Sequence, residues 1–177
     1  MLEGLTKYWG FYFVAIPDVN RVGVRDFKDT LNRFAEDEEW IPDLRRLPPG
    51  ERVLQNRHNS QIASKHLRRL LAARIVVFQL FLQLAIEVDG ELLEKHKRIW
   101  LLFQLSDRLG PYAGIHPFVQ ITRKSLRHAS NEALIILVER LDDILGKYLP
   151  RSHFIIGLDE AQRAARLYPC SFILGVD

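Results

Sequence analysis

The run Phe154-Ile155-Ile156-Gly157-Leu158-Asp159-Glu160 places two carboxylates directly after a short apolar stretch. That placement has a chemical use. Ligands of open parallel sheets bind beyond the carboxyl ends of the strands, so acids leaving a covered strand stand where a phosphate-bound metal would sit. There Asp159 is suited to hold Mg2+, directly or through water, and Glu160 to polarise the water that attacks a terminal phosphate. The same two residues have a plainer use. Asp159 can cap a helix that begins at Glu160, whose charge then complements the helix dipole. A motif this short also arises by chance, so both readings stand.

A complete phosphate site needs more. Glycines let backbone N–H groups cradle the phosphates, a lysine adds charge, and a serine or threonine binds Mg2+. No GxxxxGK[ST] occurs in the 177 residues; Gly146-Lys147 is followed by Tyr148 and has no upstream glycine in register. The six histidines, His58, His66, His96, His116, His128 and His153, form no HxxxH or HExxH pair, which points to surface or capping roles rather than metal. The single cysteine, Cys170, excludes an internal disulfide and a multi-cysteine zinc site, and fits a reducing compartment.

The elements that must position Asp159 and Glu160 are legible from the pattern. A short helix over Leu2–Trp9 leads into an aromatic apolar run, Phe11–Ile16, bounded by Gly10 and Pro17. Such a run reads as a strand covered on both faces, as does Phe154–Leu158. Between them lie helical patterns over Arg25–Asp37, Asn59–Val88 and Leu92–Ser106, and a helix capped by Ser130 and closed by Gly146 and Pro150. Trp40–Gly50, with three prolines, reads as a loop, and Gly110, Pro111, Gly114 and Pro117 break the next stretch. Glu160–Leu167 is helix-compatible. The expected fold is therefore α/β: one domain over 1–177, an incomplete parallel sheet, and a mainly helical insertion over 25–149 between the two recognisable strands.

Composition narrows the function classes. With 47% apolar and 27% charged residues, the chain reads as a packed globular domain and not a disordered one. A net charge of +3 is too small to argue for nucleic acid. The most apolar stretch, Leu70–Val88, has an uncharged core, Ile75–Ile86, too short for a bilayer, so it reads as a buried helix. Its second half is apolar almost all round and should lie inside the domain. The N-terminus lacks a secretory pattern, and the expected location is intracellular, cytoplasmic or nuclear. Lys65, His66, Arg68, Arg69 and Arg74 form a basic stretch that reads as a solvated face, with contact to phosphate or an acidic partner as the alternative. Trp9, Tyr12, Trp100 and Phe103 read as core.

Four segments carry a family resemblance: Leu2–Ala15 (LEGLTKYWGFYFVA), Arg69–Leu82 (RLLAARIVVFQLFL), Arg98–Gln104 (RIWLLFQ) and Phe154–Gln162 (FIIGLDEAQ). In that order they resemble large P-loop ATPase-like proteins of mushroom-forming fungi, often associated with Crinkler-type proteins. The resemblance implies that Leu2–Ala15 follows a phosphate loop and that FIIGLDEAQ is the Walker B strand. It implies Asp159 as the Mg2+ residue, Glu160 as the water-activating residue, and Mg2+ with ATP as cofactors; Gln162 receives no role. Such a phosphate loop would precede Met1, so the resemblance implies a truncated or degenerate nucleoside-triphosphatase-like protein, inactive by itself. A non-enzymatic helical interaction module, Crinkler-like in role, is the alternative. A DEAD/DEAH-type RNA helicase relative ranks third, because DEAQ is not followed by an SAT-like triplet. A sheet missing one strand should expose an edge and bind a protein partner or a second copy; nucleic acid and membrane are not expected partners.

Overall fold

A computed structural model describes residues 2–15, 22–106 and 115–159. Helix α1 (Leu2–Lys7) leads into strand β1 (Trp9–Val14). Helix α2 (Asp26–Asn32) tightens into a 3-10 turn over Arg33–Glu36, and a second such turn spans Leu44–Arg46. Then follow α3 (Pro49–Asp89), α4 (Glu94–Leu105), α5 (Pro117–Gln120), a π turn over Ile121–Ser125, α6 (Asn131–Tyr148) and strand β2 (Phe154–Asp159). The expected α/β class holds: β1 and β2 pair in parallel, Trp9 opposite Phe154 and Val14 opposite Asp159, with the helical block as the crossover.

Strand β1 is buried along its whole length, as its unbroken apolar run requires. Alternation splits its side chains. Trp9, Phe11, Phe13 and Ala15 enter the main core with Phe27, Phe78, Leu82, Trp100 and Phe118, while Tyr12 and Val14 meet Leu5 and Leu101 on the other face. Phe11 stands edge-on to Phe154 at 5.0 Å and to Phe78 at 5.7 Å; each such pair adds about 0.5–1.5 kcal/mol beyond burial. The four expected core aromatics follow suit: Trp9, Tyr12 and Trp100 are buried and Phe103 is partly buried against them.

The two edges of the sheet differ. On the outer edge of β1, Gly10 O accepts from Trp100 Nε1 (2.8 Å) and Gln104 Nε2 (3.1 Å). Tyr12 N–H donates to Gln104 Oε1 (2.9 Å), and Tyr12 O accepts from Arg74 Nη1 (3.0 Å). The amide of Gln104 thus pairs with β1 as a neighbouring strand would, and this edge is sealed by side chains. On the other side, Ala15 N–H donates to Asp159 O, so by alternation the backbone groups of Phe154, Ile156 and Leu158 face away from β1. Among the described residues no strand pairs there, and Ile156 and Leu158 are 57% and 40% exposed.

Several boundaries differ from expectation for local reasons. Helix α3 begins at Pro49 instead of Asn59. Pro49 suits a first helical position, and the polar first turns are tied to the preceding loop by Arg52 on Leu47 O, Gln55 on Glu39 O and Asn59 on Ile41 O. These bonds leave no apolar periodicity to read. The loop itself is packed, with Trp40 and Leu44 buried. Helix α3 ends at Gly90, whose φ of +81° closes the helix with its N–H on Ile86 O. The second half of α3 is not enclosed as expected: Leu80, Leu84 and Val88, one turn apart, are 57%, 59% and 71% exposed. By length and composition α3 is apolar enough to cross a membrane, while Ile75, Phe78 and Leu82 are buried in the core. Ser130 caps α6 as expected, accepting from Ala133 N–H at 3.2 Å. That helix runs through Gly146 to Tyr148, because Gly146 keeps a helical backbone and does not close it. Pro117 opens α5 at its first helical turn, consistent with a break before it.

Candidate functional site

Asp159 is the last residue of β2, at the carboxyl end of both strands, where the sequence places it. Its Oδ2 accepts a hydrogen bond from the Tyr12 hydroxyl at 2.6 Å. Short phenol–carboxylate bonds of this kind are charge-assisted, and they fix the orientation of the acid. Glu160, Gln162 and Cys170 lie outside the described residues, as do the expected helix over Glu160–Leu167 and the breakers Gly110, Pro111 and Gly114.

Tyr12 is itself held from several sides. Its ring lies on the face shared by Leu5, Val14 and Leu101. Residues 22–24 return across the end of β1: Val22 bridges to Ser106, and Gly23 N–H donates to Leu105 O at 2.8 Å. Gly23 has φ +94°, and a Cβ there would strike Val14, so only glycine lets the chain pass this close.

Below Tyr12 lies a buried polar centre. Arg74 and Asp26 have fully buried side chains and form a two-pronged ion pair, Nε to Oδ2 and Nη2 to Oδ1, both 2.7 Å. Arg74 Nη1 also donates to Gln104 Oε1 (2.9 Å) and to Tyr12 O. The guanidinium lies against Phe13 and Phe118, 4.6 and 4.1 Å from the ring centroids. Asp26 Oδ1 takes a further bond from Phe27 N–H at 3.0 Å. Arg74 and Gln104 therefore hold the backbone of Tyr12, and Tyr12 holds Asp159.

This corrects the reading of the basic stretch as one solvated face. Steps of 100° around α3 send its members to different places. Arg74 is fully buried, and Arg69 is 8% exposed with its Nε lacking a hydrogen-bond partner. Lys65 faces solvent, and Arg68 is half-buried and bonded to Asn131 Oδ1 at 2.8 Å. His66 packs on Phe34, ring centroids 5.7 Å apart. Burial pulls the His66 pKa below its ordinary 6.5; Arg69, Arg33 and Lys65 pull the same way, and Asp37 opposes them. A histidine depressed in the folded state makes the unfolded chain bind more protons between the two pKa values. Its stability contribution is thus present above the ordinary pKa and lost as pH falls through the window below it. Denaturant unfolding at about pH 7.5 and about pH 5.5 should show stability falling with acid, with a smaller drop in His66→Gln. An equal drop in the variant would refute the assignment.

The other histidines include two caps, as expected, though both are buried and not on the surface. His96 Nδ1 accepts from Leu93 N–H at 3.0 Å while its Nε2 meets Asp89 at 2.7 Å, and His116 Nδ1 accepts from Phe118 N–H at 3.3 Å. The Lys95 ammonium and the His96 ring beside Asp89 hold its carboxyl below the usual carboxylate range.

The donor set at the carboxyl ends of the strands is one oriented carboxylate. Among the described residues no three His, Cys, Asp or Glu side chains come together to cage a metal. Mg2+ needs no such cage: it keeps several waters and is commonly held by one or two carboxylates plus substrate phosphates. Asp159 offers one such carboxylate. Sequence reading found Asp159 and missed its supports. Tyr12 was legible only as core, and Asp26 and Gln104 carry no local signal. Arg74 had one: a lone cation flanked by Ala72, Ala73, Ile75 and Val77 implies a buried acidic partner. No family model, curated protein or solved structure matches the chain.

Proposed function

We propose that the chain carries the metal-binding half of a nucleoside-triphosphatase-like site, in a protein that resembles P-loop ATPases but has no phosphate loop among these 177 residues. Asp159 is the Mg2+ residue and Glu160 the water-activating residue. The observation that supports this is the position of Asp159: a carboxylate at the carboxyl end of a parallel strand, after a helical crossover, fixed by the Tyr12 hydroxyl. Bound Mg2+ would supply charge neutralisation for phosphate; the chain supplies one oriented carboxylate. Without a phosphate loop beside Asp159, this site should not bind ATP–Mg2+ with micromolar affinity, and the chain should release no phosphate. Mn2+, used as a paramagnetic substitute, should broaden the amide signals of Val14 and Asp159, and Asp159→Asn should abolish that broadening. Equal broadening in the variant removes the metal role. Micromolar ATP affinity lost in Asp159→Ala would reveal a phosphate site not recognised in the sequence and overturn the inactivity.

One observation favours the second reading, a non-enzymatic interaction module. The outer edge of β2 has no described strand partner and carries exposed Ile156 and Leu158. Unpaired edges recruit other chains. Light scattering should show self-association of the wild type that Ile156→Lys relieves, whereas a clean monomer without hydrophobic dye binding argues against it.

A further inference from the structure

A second polar site lies on the N-terminal half of α3. Arg57, Ser60, Gln61, Ser64, Lys65 and Arg68, with Asn131 at the start of α6, line a surface cleft of about 440 Å³. That size is within the range of small-molecule sites, roughly 300–1,000 Å³. Its chemistry is one-sided: three cations and four neutral hydrogen-bonding side chains, with no carboxylate among the described residues of the lining. Several bases elsewhere are answered by acids: Lys7 pairs with Glu3, Arg45 with Asp43, Arg74 with Asp26, Lys95 with Asp89, Lys97 with Glu94 and Arg123 with Asp29. In the cleft, Arg57 and Lys65 meet no acid among the described residues, and Arg68 is instead oriented by the neutral Asn131. The acid next in sequence, Glu132, is outside the lining; its carboxylate is held below the usual range by its own backbone N–H and by Ser130. From Arg57 to Arg68 the helix rises about 16 Å, so the cations form a row, not a point.

The direction of α3 gives the cleft its place. Trp9 meets Phe78 and Phe81, and Phe13 meets Arg74, so α3 runs antiparallel to β1. Its N-terminal half, with the cleft, therefore extends past the carboxyl end of the sheet, the side on which α/β folds bind ligands.

We propose that this cleft binds a linear oligophosphate, the cations taking successive phosphate oxygens and Ser60, Ser64 and Gln61 donating hydrogen bonds between them. A carboxylate ligand would use the charge but not the row. The site does not depend on Asp159.

Tripolyphosphate is the probe, titrated into the full chain by calorimetry and by amide chemical shifts at low salt without divalent cations. The wild type should bind with shifts centred on residues 57–68, and more tightly than it binds orthophosphate. Arg57→Gln/Lys65→Gln/Arg68→Gln should weaken binding at least tenfold. The control Arg98→Gln/Arg140→Gln/Arg151→Gln removes the same charge from exposed positions outside the cleft and should retain affinity. Equal loss in both triples means diffuse attraction by net charge and overturns the proposal, as does tripolyphosphate binding no tighter than orthophosphate. Binding of a single-stranded oligonucleotide without binding of tripolyphosphate overturns it in favour of a nucleic-acid surface. Should the cleft triple not fold, Lys65→Glu alone decides by the same titration. Asp159→Asn should leave the affinity unchanged, which separates this site from the proposed metal site.

Discussion

Arg74→Met is expected to cost the fold about 3–5 kcal/mol, the range for removing one partner of a buried ion pair. The loss does not measure the strength of the pair. It arises because Asp26, with a fully buried side chain, loses both bonds from the guanidinium and is left without its ionic partner. Asp26→Leu should cost a comparable amount by stranding Arg74 between Phe13 and Phe118. Removing both together should recover much of either loss, since buried pairs often exchange for apolar residues at little net cost. The recovery will be partial, because Tyr12 O and Gln104 Oε1 each lose the Arg74 donor. Urea unfolding of the two single variants and the double tests this. Single losses below about 1 kcal/mol, or a double variant as unstable as the two losses summed, would contradict the account.

Gln104→Leu is expected to cost about 2–4 kcal/mol, at roughly 1–3 kcal/mol per buried group left unsatisfied. The leucine fills similar space but leaves Tyr12 N–H without its acceptor and takes one acceptor from Arg74. Gly10 O keeps its bond from Trp100 Nε1. Gln104→Glu should be milder, since a carboxylate still accepts from Tyr12 and Arg74 and only the donor to Gly10 O is lost. Amide hydrogen exchange reads the mechanism separately from stability: protection at Tyr12 should fall more than at Phe11, whose N–H faces β2. Wild-type protection at Tyr12 in Gln104→Leu, with stability changed by less than about 0.5 kcal/mol, would show that the amide does not seal this edge.

The two effects bear on the candidate site through one chain of contacts. Arg74 and Gln104 fix the Tyr12 backbone, and the Tyr12 hydroxyl fixes Asp159. If Asp159 holds the metal as proposed, a variant that loosens the buried centre while leaving the chain folded should weaken Mn2+ broadening at Asp159 without altering Asp159 itself.

Local pattern was enough for the existence of the strands, the helical crossover between them, the Ser130 cap and the position of Asp159. Each rests on information held within a few residues: an apolar run bounded by Gly10 and Pro17, a hydroxyl before a helix, an acid after a covered strand. It was not enough for the start of β1, which takes in Trp9 and Gly10, read as helix end and breaker; Ile16 and Pro17 lie outside the described residues. The extent of α3 was not legible at its start, because Arg52, Gln55 and Asn59 hold it through bonds to the preceding loop instead of an apolar stripe. The fates of Lys65, His66, Arg68, Arg69 and Arg74 were not legible either. Adjacent cations in a sequence look alike, and a helix turns them to neighbours that lie far along the chain: Asp26 for Arg74, Phe34 for His66, Asn131 for Arg68. The sealed edge of β1 is the strongest case. Its strand partner is a side-chain amide more than ninety residues away, and only the docking of α4 along β1 brings Gln104 to the two backbone groups it satisfies.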